Sequence, residues 1–505
     1  MDRRMKRAMG CLLLVLSLLG AGCGEKGEPT GLRVAVLGLD GATWDLLDPW
    51  MEEGLLPNLR RVREEGFSSG LVSVIPPLSA PAWTTAITGT NPGRHGIFDF
   101  ELIDRGRFQP VPATSLDRKT RAAWEYLDES GRRSVVIGVP LTTPPDSIEG
   151  IMIGGFPHPF PTGYTSPRGI EKELMGYRLD EYGEYLPPGG EEAFLANLNA
   201  TRDGHARVAL ELYKTKDWDL FWTVLMGSDK VQHFFWKFMD AGRRGNVDPD
   251  LAARFEHTIR DFWIRLDEIV GRFVEATDEN TVLLIVSDHG FGPIDREFQI
   301  LRWLWNEGYC DPHPLKSRVF YFPHFGGQLT VNRTDRFPNG VVEPGEEYER
   351  LVAELEEKLL AVRDPLTGDR VVASVFRSDR IYSGPFLDDA PDLLFLAEPG
   401  YVFGRGSPME EGEVFQEPSY TFSAYHEMRG ILLALGPLVR RGRAESDLYL
   451  QDLAPTVLRL LGETIPIEMD GRPFEGLFDD EIARTAPLRI GKRPIGRDAS
   501  GAVAE

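Results

Sequence analysis

Two acid–histidine pairs in the sequence have spacings that suit metal ligation. Asp229 and His233 are four residues apart, so they face the same way if the chain is helical from Lys230 onward. Asp288 and His289 are adjacent, and the glycines that follow them free the backbone to turn both side chains inward. A structural alternative exists for the first pair, in which Asp229 caps a helix and His233 is unrelated to it. Taken alone, the first pair favours neither interpretation.

Asp40 and His426 complete a possible ligand set. Asp40 directly follows an apolar run, and His426 directly precedes another one. By itself the dipeptide Asp40-Gly41 is typical of a turn. With the two pairs, however, the chain offers three carboxylates and three imidazoles, which is enough for two divalent ions once a nucleophile or water is added.

Ser79 is the candidate nucleophile. Pro81 suits the first turn of a helix and Gly89 its end, so Ser79 is predicted to stand at a helix N-terminus, where backbone N–H groups favour a phosphate or sulfate. Capping alone would also explain a serine there. Because a serine hydroxyl is too weakly acidic to attack unaided and no histidine base lies nearby in sequence, a metal ion is the natural activator.

The elements that must position these residues alternate between strands and helices. Near-continuous apolar runs predict buried strands at 32–39, 134–139, 220–226, 281–286, 392–397 and 430–435. Helical patterns lie between them, notably at 191–214, 251–276, 346–362 and 450–461. This alternation predicts an α/β fold with a doubly wound, mostly parallel sheet flanked by helices. Ligands of such sheets bind beyond the carboxyl ends of the strands, which is where Asp40, Asp229 and Asp288 fall.

Two stretches interrupt the alternation. Residues 100–201 are rich in Pro and Gly, and residues 293–391 mix short β-like runs with one charged helix, so both are expected to be cap segments inserted over the sheet. We therefore expect one catalytic domain over 32–475. The polar tail, 476–505, is expected to be partly disordered.

The first 22 residues have the features of an export signal. Arg3, Arg4, Lys6 and Arg7 precede an apolar run at 11–19 that is short for a membrane span. Small residues then lead to Cys23, as in the cleavage box of bacterial lipoproteins, although Gly20 stands where a branched aliphatic residue is usual. We expect a lipidated Cys23, a linker over 23–31 and a cell-envelope protein facing the periplasm or exterior. An ordinary signal peptide is the alternative.

Composition limits the partners. The 505 residues carry a formal charge of -22, which argues against duplex nucleic acid or anionic lipid as a broad-surface partner. Of the three cysteines only Cys310 falls in the predicted globular part, so no disulfide framework is possible there.

The ordered set of motifs resembles the type I phosphodiesterase and nucleotide pyrophosphatase branch of the alkaline phosphatase superfamily. The resemblance covers about residues 32–475. The matching segments are Val36 to Gly41, Ser79-x-Pro81 with Thr88 to Gly96, Asp229-x-x-x-His233, Asp288-His289-Gly290, His426, and a closing helix and loop from Asp452 to Arg472.

The resemblance implies a two-metal phosphoester hydrolase. Asp40, Asp288 and His289 would hold one ion together with Ser79, while Asp229, His233 and His426 would hold the other, both as zinc. Ser79 would attack phosphorus and form a covalent intermediate that water releases. Lys230 and Arg94 are candidate phosphate contacts on a small-molecule phosphoester.

The sequence departs from the family's motifs at several positions, and these departures leave other functions open. Ser79 and Ala82 stand where nucleotide pyrophosphatases commonly have Thr and Asn, so nucleotide specificity does not follow. A sulfatase requires Arg where Trp83 stands. A phosphomutase of the same superfamily and a non-catalytic substrate-binding lipoprotein remain as other functions. The lack of an arginine in the Ser79 motif and the apolar surface of Pro81 and Trp83 favour a diester over a monoester.

Overall fold

The computed structural model describes residues 30–106, 109–158, 161–180, 186–243, 247–321, 326–404, 406, 412–419 and 421–491. The proposed leader, Cys23 and most of the linker lie outside the described residues, as does the tail beyond Gly491. No helix within the described ranges is long and apolar enough to cross a membrane.

The strands and helices alternate along most of the chain. The strands, numbered β1 to β22, are Arg33–Leu39, Phe67–Val72, Glu101–Asp104, Gln109–Pro112, Ser134–Ile137, Gly150–Ile153, Thr165–Ser166, Leu220–Leu225, Thr281–Val286, Gly290–Gln299, Val319–Phe320, Gly327–Val331, Val372–Arg377, Leu393–Ala397, Gly400–Gly404, Phe415–Gln416, Ala424–Glu427, Arg429–Leu435, Gly442–Arg443, Leu448–Tyr449, Ile465–Pro466 and Ile490–Gly491. The α-helices, numbered α1 to α14, are Trp44–Glu52, Pro57–Glu65, Ser79–Thr88, Pro92–His95, Ala123–Glu129, Glu191–Thr215, Gly227–Met239, Pro249–Phe255, Thr258–Ala276, Ile300–Asn306, Glu346–Ala361, Ser378–Ile381, Leu453–Leu460 and Ile482–Thr485.

The main sheet is mostly parallel, which confirms the predicted fold class. Its order is β19-β2-β18-β9-β1-β8-β5-β6-β7, with β20 also beside β2. The pairs β9–β1, β1–β8, β8–β5 and β5–β6 are parallel, whereas β18 runs antiparallel to both β9 and β2. Strands β1, β8 and β9 are buried almost throughout because helices cover both faces of the sheet, so their sequences are apolar at successive positions rather than at alternate ones.

The expected insertion at 100–201 needs correction. This segment does contain a hairpin of β3 and β4 outside the main sheet. Yet the segment also contains β5, which the sequence predicts at 134–139 as a strand of the main sheet, and β6 and β7, which extend that sheet to its edge. The strands β6 and β7 are four and two residues long, too short to produce a recognisable apolar run between the prolines and glycines of their connections.

The second expected insertion, 293–391, lies within a longer segment whose strands form sheets separate from the main sheet. This segment includes the antiparallel sheet β11-β12-β14-β13, and it supplies β15, β16 and most of β10 to a smaller sheet whose fourth strand, β17, follows it in sequence. The run at 392–397, predicted as a strand of the main sheet, is β14 of this segment. The apolar residues of the whole segment form a core of their own, which includes Phe298, Leu329, Leu355 and Phe395. Pro293 pairs with Ala424, so we call the segment between them, 294–423, the cap.

Candidate active site

Six side chains form two groups with metal-ligand geometry at one edge of the main sheet. Asp40, Asp288 and His289 make up the first, called site A, and every one of them is buried. The second, called site B, is made of Asp229, His233 and His426. Within each group the potential ligand atoms all lie within 4.8 Å of one another.

Sheet topology accounts for this convergence. Leu39 at the end of β1 pairs with Leu225 at the end of β8, and Gly38 pairs with Val286 at the end of β9. The three strands therefore stop at the same edge, where Asp40, the first turn of α7 and the Asp288-His289 pair follow directly. Because β18 is antiparallel, its beginning lies at that edge as well, and β17 brings His426 there.

Site A holds carboxylate oxygens that lack partners. His289 Nε2 lies 3.2 Å from Asp288 Oδ2 and 3.6 Å from Asp40 Oδ1. These two buried oxygens accept no hydrogen bond from any described residue. Since an unpaired buried carboxylate oxygen is costly, the donor set fits a cation better than it fits an empty core.

Site B is drawn together around Asp229. Asp229 Oδ1 lies 3.0 Å from His426 Nε2 and 3.3 Å from His233 Nε2. The helix α7 begins at Gly227, so the four-residue spacing of Asp229 and His233 puts both on one face of a helix, as predicted. Lys230 lies beside the group, with Nζ 3.1 Å from Asp229 Oδ2.

The three imidazoles all present Nε2 to the two sites. Each Nδ1 donates to a backbone carbonyl: His233 to Ala424 at 2.8 Å, His426 to Pro77 at 2.9 Å and His289 to Gly290 at 3.1 Å. A neutral ring that donates from Nδ1 has only a lone pair at Nε2. The Nε2 atoms of His233 and His426 nevertheless face each other at 2.9 Å, an arrangement of two acceptors that a cation would stabilise.

Burial and the close spacing of the charged groups also shift the pKa values of the candidate ligands. Burial, reinforced by the carboxylates of Asp288 and Asp229, raises the pKa of Asp40 well above its ordinary value. Burial, with the charge of Asp229, raises the pKa of Asp288 to about 8. For Asp229 burial acts in the same upward direction, but His233 and Lys230 hold its pKa well below the usual range. Burial and the neighbouring His289 lower the pKa of His426. Clustered acids whose ionisation is this strongly perturbed are typical of functional sites.

Ser79 stands where the two sites meet. It is the first residue of α3, and the left-handed Gly89 ends that helix, as the sequence predicts. Ser79 Oγ lies 3.2 Å from His289 Nε2. The preceding Pro77 carbonyl accepts the hydrogen bond from His426, so the segment before α3 touches site B while Ser79 touches site A. The rings of His289 and His426 stack with centroids 3.7 Å apart.

Several supporting residues were not identified from the sequence. Trp83 Nε1 donates to Asp40 Oδ2 at 2.8 Å and so fixes the orientation of this carboxylate. The ring of Trp83 lies against Gly38, where a Cβ would come within 2.5 Å of it. Ser228 Oγ donates to the Asp40 carbonyl at 2.7 Å, and Ser287 Oγ accepts from Ala42 N at 2.8 Å. A hydroxyl directly before Asp229 and another before Asp288 were the signals available in the sequence.

The two candidate phosphate contacts differ in their surroundings. Lys230 borders site B, with a partly exposed side chain that lies 6.0 Å from the Phe156 ring. Arg94 instead donates from Nε to Asp470 at 3.0 Å. Asp470 also accepts from Asn91, and its own N–H donates to the Gly89 carbonyl at the end of α3. Arg94 thus ties the closing loop to α4, while the Asp470 N–H ties the same loop to the end of the helix that carries Ser79.

Comparison with solved structures shows the same fold in several hydrolases. Phosphonoacetate hydrolase from Sinorhizobium meliloti 1021, in complex with phosphonoformate, has a TM-score of 0.56 at 15% identity, over 84% of this chain and 94% of that one. An inactive variant of murine ectonucleotide pyrophosphatase/phosphodiesterase 5 in complex with AMP has a TM-score of 0.51 at 16% identity, over 86% and 96%. The alkaline phosphatase PafA has a TM-score of 0.53 at 16% identity, over 90% and 99%. At these identities the likeness establishes the fold.

Sequence comparison identifies the family. No curated protein sequence matches the chain. The family model for type I phosphodiesterase / nucleotide pyrophosphatase does match, over residues 34–424. This range includes Ser79 and every residue of sites A and B except His426, which lies two residues beyond it. The chain therefore belongs to the type I phosphodiesterase / nucleotide pyrophosphatase family and has the fold of the alkaline phosphatase superfamily.

Proposed function

We propose that this protein is a two-metal phosphoester hydrolase that acts through a covalent Ser79 intermediate. One observation carries the proposal: two ligand groups flank a serine at a helix N-terminus, and in site A one buried oxygen of Asp40 and one of Asp288 accept no hydrogen bond from any described residue. Asp40, Asp288, His289 and Ser79 would hold one divalent ion at site A, and Asp229, His233 and His426 the other at site B. The mixed nitrogen and oxygen ligands favour zinc.

Bound ions would supply Lewis-acid stabilisation of the reacting oxygens and would lower the pKa of a hydroxyl or water at the site. The protein contributes the geometry. Ser79 Oγ attacks phosphorus, the Oγ–P bond forms as the ester bond to the leaving group breaks, and the leaving oxygen takes up a proton while Ser79 gives its own to water. A water molecule then cleaves the Oγ–P bond and restores Ser79.

The position of Ser79 suits an anionic group. The first N–H groups of α3 have no partner within the helix and point toward its N-terminus, so they favour the negative oxygens of a phosphoryl group. Lys230 adds a cation beside site B. These groups would bind and orient the substrate before attack.

We further propose that a diester is preferred over a monoester. A cavity of about 320 Å³ lies between the cap and the main sheet, and its wall includes His426 of site B and Leu78, the residue before Ser79. Phe395, Tyr401 and Tyr425 give it a largely apolar lining. Such a cavity suits an uncharged second ester group, whereas a monoester dianion would bring an additional charge that needs compensation.

Paired substrates test this function. Aryl phosphate monoesters and diesters with one shared leaving group would be compared by kcat/KM, with metal content measured on the same samples. We expect close to two transition ions per chain, loss of activity on chelation and a higher kcat/KM for the diester. A monoester advantage of about tenfold or more would overturn the diester preference. Turnover that persists in a metal-free preparation would overturn the two-metal proposal itself.

We also propose that the protein is exported and anchored in the cell envelope through a lipidated Cys23. The charged and apolar leader, followed by small residues and Cys23, supports this proposal. Stable anchoring needs two or more acyl chains, because one chain binds only marginally. Mass spectrometry of native protein should find the lipid mass on Cys23, and Cys23→Ser should release the protein from membranes. Soluble, unmodified wild-type protein in the native host would contradict the anchor.

A further inference from the structure

The turn that follows β1 is hydrogen-bonded to both halves of the candidate site. We call residues 40–42 the Asp40 turn. On one side of it, Gly41 N donates to Asp288 Oδ1 of site A at 3.3 Å. On the other side, the carbonyls of Asp40 and Gly41 accept hydrogen bonds from side chains of α7, the helix that carries two ligands of site B. The Asp40 turn therefore connects one site to the helix of the other.

Gln232 makes one of the two hydrogen bonds from α7. It is fully buried, and it lies three residues after Asp229 and directly before His233. Its Nε2 donates to the Gly41 carbonyl at 2.8 Å, while its Oε1 accepts from Trp263 Nε1 of α9 at 3.3 Å. Because a carbonyl only accepts and an indole N–H only donates, these two partners allow one orientation of the amide.

The backbone at Gly41 allows this close contact. Gly41 has a φ of +69°, and a Cβ there would come within 3.1 Å of Gln232 Nε2 and within 2.9 Å of the Phe291 ring. A methionine at position 232 would fill a similar volume without a polar group, whereas a buried amide is costly unless it is hydrogen-bonded. The amide of Gln232 therefore contributes through its two hydrogen bonds rather than through packing.

Asp40 is the ligand of site A that depends on this contact. The other two, Asp288 and His289, are adjacent residues after β9, whereas Asp40 follows β1 and lies beside α7 in the Asp40 turn. Without the Gln232 amide, the buried Gly41 carbonyl loses its donor, and the turn is free to shift away from α7. The Asp40 carboxylate would shift with it, so the loss should fall on site A although Gln232 belongs to the helix of site B.

We propose that Gln232 is a positioning residue for site A. Through the Gly41 carbonyl it holds the Asp40 turn, and with it the Asp40 carboxylate, in the geometry that binds an ion. This proposal rests on the two-metal function proposed above, and it assigns to Gln232 no contact with substrate or metal. One side chain on the helix that carries site B thereby determines the ion affinity of site A.

Zinc titrations of chains with a single intact site test this assignment. His426→Ala would leave site A, Asp288→Ala would leave site B, and each would be prepared with and without Gln232→Met. Zinc affinity would be measured by competition with a chelator, and thermal unfolding of the same samples would report folding. The matched control is Gln299→Met, because Gln299 is 2% exposed and donates to Glu297 at 3.0 Å in the cap.

We expect Gln232→Met to lower the zinc affinity of the chain with site A by about tenfold, because a buried carbonyl loses its donor and the carboxylate loses its fixed position. The chain with site B should stay within about twofold, as should both chains when they carry Gln299→Met. In the parent, which has both sites, Gln232→Met should lower one of the two stepwise zinc affinities and leave the other within about twofold.

A role of Gln232 in packing alone predicts a different pattern, because a disturbed α7 would displace Asp229 and His233. A loss confined to site B, an equal loss at both sites, or unchanged affinity at both would overturn the proposal. If Gln232→Met does not fold, Trp263→Phe replaces it, since this variant removes the indole N–H that orients the amide. It should weaken site A by about threefold and spare site B. Unchanged affinity of site A in Trp263→Phe would overturn the proposal as well.

The parent separates this proposal from the proposed function. A parent chain that binds no zinc would overturn the two-metal function and the role of Gln232 together. A parent that binds two ions, with site A unaffected by Gln232→Met, would overturn the role of Gln232 alone.

Discussion

The hydrogen bond from Trp83 to Asp40 gives a direct test of how site A is organised. In Trp83→Phe the indole N–H that donates to Asp40 Oδ2 at 2.8 Å is lost, while most of the buried ring volume remains. A hydrogen bond to a charged group contributes about 1.5–3 kcal/mol, which corresponds to roughly 10- to 100-fold in a binding constant. We expect the affinity of site A for zinc to fall by this factor, because the carboxylate loses the partner that orients it.

Trp222 provides the matched control. It is as fully buried as Trp83, but its indole N–H has no hydrogen-bond partner among the described residues. Trp222→Phe therefore removes a similar volume without removing a hydrogen bond, and it should leave the affinity for zinc within about twofold of the parent.

The assay is a titration of chelator-treated protein with zinc in the presence of a competing chelator, with thermal unfolding measured on the same samples. Equal zinc affinity in folded Trp83→Phe and in the parent would refute the idea that this bond organises the site. An equal loss in both tryptophan variants would assign the effect to packing instead.

Three further outcomes are expected. Ser79→Ala should abolish hydrolysis of both ester classes but retain zinc, whereas a rate above about 1% of the parent would remove Ser79 as the nucleophile. His426→Ala should empty mainly site B, and elemental analysis that finds both ions at full occupancy would exclude this histidine from the ligand set. Burial lowers the pKa of His95 to about 3, and because Ile97 N donates to its Nδ1, the ring is neutral and donates from Nε2 to Thr85. The stability that depends on this neutral ring is present above about pH 6.5 and is lost as the pH falls, by about 3 kcal/mol between pH 6.5 and 4. Denaturant unfolding should show a weaker acid dependence for His95→Gln, and an unchanged dependence would contradict this role.

Residues with a strong local signature could be placed from the sequence, whereas residues that act through tertiary contacts could not. Gly89 and Pro81 define α3, and the apolar runs define β1, β8 and β9, because each depends on a few neighbouring residues. The contact of Trp83 with Asp40 joins residues 43 positions apart, and nothing in the local sequence of either indicates it.

The same distinction explains the errors in the fold prediction. The short strands β6 and β7 depend on the edge of a sheet that is already formed, so their own sequences give no periodic signal. The run at 392–397 has the apolar character of a buried strand, but the sheet that buries it is the one in the cap. Apolar character reports burial and does not report which of two cores provides it.

The cap enters and leaves the main fold at adjacent positions. Because Pro293 and Ala424 are partners in an antiparallel pair, their Cα atoms are about 5 Å apart, and a short turn can span this gap. The cap also has its own apolar core, while all six ligands of sites A and B lie outside it in sequence. A related cap grafted at Pro293 and Ala424 would therefore replace one wall of the cavity without breaking the chain at any candidate metal ligand. Exchange at this one antiparallel pair would change the residues that line the cavity and would leave both candidate ligand groups unchanged.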